Sequence, residues 1–105
     1  MTSQEMPNFG NIIKENRLIK KMTLTQLAAK LNLDSANLSK IENGIREFDE
    51  KRLPELAKIL ELDLKEIQAE LLSEKIAKQI VEYDNTTDIL YLAETKVKYL
   101  KKEKD

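Results

Sequence analysis

The sequence predicts an all-α protein, and three observations carry that expectation. Gly and Pro occur only twice each in 105 residues, which leaves little provision for long loops or tight β-hairpins. Apolar residues recur at steps of three and four through most of the chain. Helix-capping residues (Thr23, Asp34, Asp49 and Asp63) stand just ahead of those apolar stripes. A composition of 41% hydrophobic and 35% charged residues is that of a folded, helix-rich chain and not of a disordered one.

Taken in order, residues 1 to 8 are polar with one proline and are expected to be loose. Phe9 to Lys20 favours helix, with Phe9, Ile13 and the stem of Arg17 on one face at four-residue steps. Thr23 opens a capping box with Gln26, and Leu24, Leu27, Ala28 and Leu31 then form an apolar stripe at i, i+3, i+4 and i+7. Asn32 is a residue that tolerates the left-handed conformation of a tight turn. Asp34 caps a third helix from Ser35 to Asn43, which Gly44 ends. Asp49 is expected to cap a fourth helix carrying Leu53, Leu56, Ala57 and Leu60, with Pro54 in its first turns. Asp63 and Glu66 open a long helix through Leu64, Ile67, Leu71, Ile76 and Ile80. The cluster from Asp84 to Thr87 is expected to break it. A last helix places Leu90, Ala93, Val97 and Leu100 at near-heptad spacing before a solvated tail, Lys101 to Asp105.

Several functions are disfavoured at this level. There is no cysteine, hence no disulfide and no thiolate metal site, and no histidine, hence neither the usual general base nor the commonest metal ligand. The acids Glu47, Asp49 and Glu50 have no basic or phosphate-binding motif beside them and read as a solvated connection with a helix cap. An enzyme is therefore not expected, and no cofactor or metal is called for. Apolar stretches are a few residues long, far short of the roughly 20 that cross a bilayer, so no membrane association is expected. The N-terminal residues lack a basic region followed by an apolar run, which predicts no secretory signal and a cytoplasmic location.

The net charge of −1 conceals a segregation along the chain. Residues 8–46 carry seven basic and three acidic side chains, whereas residues 47–75 carry five basic and nine acidic ones. Phosphate contacts are made by a surface and not by a total, so the basic first half is the place to look for a nucleic-acid face. Two short helices joined by three residues, with small Ala28 where they press together, read as a helix-turn-helix from about Thr23 to Asn43.

Advancing the third helix by 100° per residue puts Leu38, Ile41 and Glu42 toward the core. Ser35, Ala36, Ser39, Lys40 and Asn43 then share an opposite arc of about 140°. That arc is polar, mostly small and positively charged. Small side chains let the backbone approach base edges, and Lys40 can reach a guanine or a phosphate. Arg17 and Glu42 each fall on the apolar side of their helix, where a lone charge is costly to bury, and are expected to form a structural ion pair.

The stretch Phe9 to Leu62, about half the chain, resembles the Xre family of helix-turn-helix regulators, which includes phage repressors and Cro. The residues that carry the resemblance are Phe9-Gly10, Ile13 and Arg17, then Leu27-Ala28-Ala29-Lys30-Leu31. They continue with Leu38-Ser39-Lys40-Ile41-Glu42-Asn43-Gly44 and Leu53, Leu56-Ala57 and Leu60. The resemblance implies a five-helix Xre/Cro-repressor-like domain over residues 9–69, usually dimeric, with residues 70–105 as a C-terminal helical extension. By position it implies base-edge contacts from Ser35, Ala36, Asn37 and Lys40, with Ser39, Asn43 and Arg46 nearer the phosphates. Three positions depart from the family pattern. Leu24 replaces a glutamine that holds a phosphate, so the anchor is expected from Thr23, Thr25 or backbone N–H groups. Asn32 replaces a turn glycine, and Asn16 replaces a core leucine.

The tail from Leu72 to Tyr99 is similar to that of small Xre regulators encoded beside DNA methyltransferase genes in restriction–modification systems. On physical grounds its amphipathic helices expose more apolar surface than a short domain needs. Leu90, Ala93, Val97 and Leu100 are expected to serve dimerisation, and folding back onto the same chain stays open. The leading functional expectation is a homodimeric repressor or self-regulating controller that reads a palindromic operator in double-stranded DNA. The alternative is an antitoxin or protein-binding module whose C-terminal helices neutralise a partner.

Overall fold

The computed structural model describes residues 8–104. Six α-helices follow one another: α1 (Phe9–Ile19), α2 (Leu24–Lys30), α3 (Ser35–Glu42), α4 (Leu53–Leu60), α5 (Leu64–Ile80) and α6 (Thr86–Lys104). A 3-10 turn, Glu50–Arg52, precedes α4, and no strand occurs among the described residues. The all-helical class stands, with six helices where five and an extension were expected. The expectation for the N-terminal residues lies outside the described residues, apart from Asn8.

Local chemistry accounts for most helix ends. Asn8 accepts from the Asn11 amide and so caps α1. Thr23 Oγ1 accepts from the Gln26 amide at 3.1 Å, and Gln26 Oε1 answers from the Thr23 amide at 2.8 Å, a complete capping box on α2. Asn32 closes the α2–α3 turn with φ of 60°. Asp34 caps α3 by accepting from the Asn37 amide at 2.7 Å. After α3 the chain leaves through Gly44, whose φ of 77° favours a residue without Cβ. Asp63 Oδ2 accepts from the Glu66 amide at the start of α5.

Three readings of local structure need correction. Asp49 caps the 3-10 turn, accepting from Lys51, while α4 starts at Leu53 with no side-chain cap and Pro54 in its first turn. The Glu47 to Glu50 connection is not wholly solvated: Phe48 is buried and packs on Phe9 with ring centroids 5.9 Å apart. Thr86 and Thr87 already belong to α6, so the break is confined to residues 81–85. Lys101 to Lys104 are exposed, as a solvated tail would be, and they continue α6, since four residues of high helix propensity follow Leu100.

By internal packing the chain divides into two units, Met1–Glu74 and Lys75–Asp105. In the first, α1 to α4 and the first turns of α5 enclose one core built on Phe9, Ile13, Leu27, Leu31, Leu38 and Leu56. Leu24 packs partly buried against that core, which explains an apolar residue at its position. Asn16 is half-buried, and its amide donates to the Ile12 carbonyl at 2.8 Å, so a polar group sits there without being orphaned. Glu74 reaches back to accept from the Phe9 amide at 2.7 Å and satisfies the first N–H of α1. In the second unit α6 buries no side chain.

Gly10 is where α1 comes closest to α3. A Cβ at that position would lie 2.1 Å from the Ile41 carbonyl oxygen and 2.7 Å from that of Glu42. Both obstacles are backbone, so the helices must separate to admit it. Gly10→Ala is expected to destabilise the protein by about 1–3 kcal/mol despite alanine's better helix propensity. Urea unfolding measures this as a lower midpoint at unchanged slope.

Candidate nucleic-acid interface

The site is built on α3, which the core holds from behind. Leu38 and Ile41 are buried in the core beside α1 and α2, and Glu42 follows them inward at 5% exposure. Arg17 of α1 meets it: Nε donates to Glu42 Oε2 at 2.7 Å and Nη2 to Oε1 at 3.0 Å, a two-pronged fork. The third donor, Nη1, goes to the Met22 carbonyl at 2.9 Å, where α1 turns toward α2. Donating to the Glu42 carboxylate raises the Arg17 pKa above its usual value and outweighs the opposing effect of burial. The Arg17 guanidinium is thereby held in its charged form.

Outward, α3 shows a different surface. Ala36, Lys40 and Asn43 are exposed, and Ser35, Asn37 and Ser39 are half-exposed on the same side. Ser35 Oγ donates to Thr25 Oγ1 at 3.2 Å and so links the first turns of α2 and α3. Asn43 Nδ2 donates to Ser39 Oγ at 3.4 Å. Asn37 is held on both sides: its Nδ2 donates to Asp34 Oδ2 at 3.4 Å, and its Oδ1 accepts from Arg46 Nη1. The Arg46 amide is bound to the Lys40 carbonyl, which folds the segment after Gly44 back along the helix and brings Arg46 beside the arc. Thr23 Oγ1 is committed to the capping box at the start of α2.

The structure thus brings Thr25, Ser35, Asn37, Ser39, Asn43 and Arg46 into contact with one another or with the α3 backbone. Ala36 and Lys40 stand open on the same face, and Thr23 lies two residues before Thr25 at the α2 N-terminus. The outcome is a polar face of hydroxyl and amide groups with the cations Lys40 and Arg46 beside them, chemistry suited to base edges and phosphates.

Sequence reasoning missed two supports of this face. Arg46 bracing Asn37 joins residues in different elements, and only the Asp34–Asn37 half of that chain has a local signal, the three-residue spacing of a cap. Arg52 donates to the Leu31 carbonyl at the end of α2, across 21 residues. Nothing near Arg52 in the chain indicates that bond.

The ion pair yields an asymmetric expectation. Arg17→Met or Glu42→Leu alone leaves one buried charge without its partner and should cost about 3–5 kcal/mol, whereas the double variant should recover most of that loss. A double-mutant cycle in urea measures the coupling. Additive losses would show that the two side chains act independently.

Neither a curated protein nor a solved structure matches the chain. No helix is long and apolar enough to cross a membrane, and no cluster of metal-ligating side chains occurs, both among the described residues. Residues 13–67, more than half of the sequence, match the family model described as Helix-turn-helix, a DNA-binding family and not a catalytic one. With its buried Arg17–Glu42 fork behind α3 and a polar face in front of it, the chain belongs to the Xre/Cro-like helix-turn-helix family.

Proposed function

We propose that the protein is a sequence-specific transcriptional regulator that binds a palindromic operator as a homodimer, with α3 in the major groove. The observation that carries this reading is the two-faced character of α3. Leu38, Ile41 and Glu42 fix it to the core, while Ala36 and Lys40 stand exposed on the opposite side. In this reading Ser35, Ala36, Asn37 and Lys40 meet base edges, and Ser39, Asn43, Arg46, Thr23 and Thr25 meet the backbone of the DNA. Asn37 exchanges its contact with Arg46 for a base, which frees the guanidinium for a phosphate.

A short helix of eight residues reads few base pairs, so specificity calls for a second copy on a half-site about 34 Å away. In this reading the regulator acts as a repressor or a self-regulating controller. The place of action is then the cytoplasm, on the DNA that it regulates. A genomic position beside a DNA methyltransferase is the setting that the tail resemblance favours.

The deciding experiment titrates the full chain against the duplex upstream of its own coding sequence and against unrelated DNA of equal length, at several salt concentrations. Specific binding at roughly 10⁻⁸ to 10⁻¹¹ M, at least about a thousandfold tighter than to unrelated DNA and falling steeply with salt, is expected. Equal and weak binding to both duplexes would overturn the reading. Co-purification of a neighbouring gene product would then turn attention to an antitoxin-like role for the C-terminal helices. Lys40→Ala is expected to lose about 1–3 kcal/mol on the specific duplex and to relax the preference at one base position. An unchanged preference would show that Lys40 does not specify sequence.

A further inference from the structure

α6 is a helix of 19 residues with no buried side chain. Leu90, Val97 and Leu100 are between 47% and 58% exposed, although they share one face with Ala93 at heptad steps. Helical stability in proteins comes mostly from packing an apolar face and not from propensity. The stripe therefore calls for a cover.

Its charges are ordered along the axis. Between Thr86 and Thr95 the charged residues are Asp88 and Glu94, both acidic. From Lys96 to Lys104 there are five lysines and one glutamate. Compensation of the helix dipole accounts for charges in the first and last turns only. Glu94, Lys96 and Lys98 lie in the middle, where that effect has faded.

Resting on the homodimer reading above, we infer that α6 is the dimerisation surface and that it pairs with α6 of a second copy in antiparallel orientation. Two features select that occupant and that direction. The first is charge: reversed helices set the acidic half of each against the lysine-rich half of the other, whereas parallel helices would align ten lysines in two adjacent sets. The second is volume. In antiparallel register Leu90 faces Leu100 of the second copy, and Ala93 faces Val97, so each layer is filled by comparable volume. Parallel pairing would stack alanine on alanine and leave a gap beside a valine pair. On the flank of the antiparallel pair, Glu94 lies roughly 7.5 Å along the axis from Lys101 of the second copy at 1.5 Å per residue, within reach of a lysine stem.

Because the chain has no cysteine, single introduced cysteines report the orientation without interference. Leu90→Cys and Leu100→Cys full-length chains are prepared separately and as a co-expressed mixture, then oxidised with glutathione, and the wild-type mass is measured by sedimentation equilibrium. Both positions are exposed in the single chain, so the substitutions leave its fold intact. The expected result is a dimeric wild-type mass and a disulfide-linked band of doubled mass in the mixture only. Within one variant the two cysteines would be about 15 Å apart by helical rise, beyond what a disulfide spans. Self-linked bands from each variant alone would overturn the antiparallel direction. A dimeric mass with no linkage in any sample would overturn the assignment of α6 and leave the homodimer reading in place. A monomeric wild-type mass would remove both.

Discussion

The fork between Arg17 and Glu42 is the constraint on which the rest of the structure turns. Two opposite charges are taken out of water, and each carboxylate oxygen receives one guanidinium donor. Such a pair adds little net stability compared with apolar side chains of similar volume, because desolvation offsets most of the attraction. What it supplies is geometry. Leucines and isoleucines can slide past one another with small loss, whereas a bidentate pair is satisfied at one separation and one rotation. α3 is thereby fixed in azimuth relative to α1, and so is the direction in which Ala36 and Lys40 point.

Two other contacts make that constraint effective. Gly10 lets the α1 backbone approach the carbonyls of Ile41 and Glu42, so the fork closes over a short span. The remaining Arg17 donor holds the Met22 carbonyl, tying the entry to α2 to the same guanidinium. The three helices that make up and support the helix-turn-helix are thus coupled through one side chain. The outward surface carries almost no packing duty and is free to hold short polar residues. This division of labour explains how 8–46 combines half of the buried core with the basic side of the protein.

What could be read in the sequence was what is decided locally. The Thr23–Gln26 capping box, the Asp34 cap and the left-handed Asn32 depend on residues within four positions of one another. The outward arc of α3 followed from helical periodicity alone. Charges at Arg17 and Glu42 stood out because each interrupts an apolar face. What escaped depends on distant partners. Gly10 owes its necessity to carbonyls more than thirty residues away, Glu74 caps an amide 65 residues earlier, and Arg52 closes the end of α2. Phe48 was overlooked because its neighbours are charged, and one aromatic residue in a short connection has no periodicity to betray burial. The identity of the operator was illegible for a different reason: serine and alanine present groups that several bases accept equally.

The most direct measurement is amide hydrogen exchange on the full chain, free and bound to the duplex upstream of its own coding sequence. If the face organised by the Arg17–Glu42 fork meets the DNA, binding slows exchange from Thr23 to Arg46, most of all in α3 and the segment after it. Amides of α1 and α4 should then be little changed. Protection confined to residues beyond 75, with α3 exchanging as in the free protein, would contradict the account.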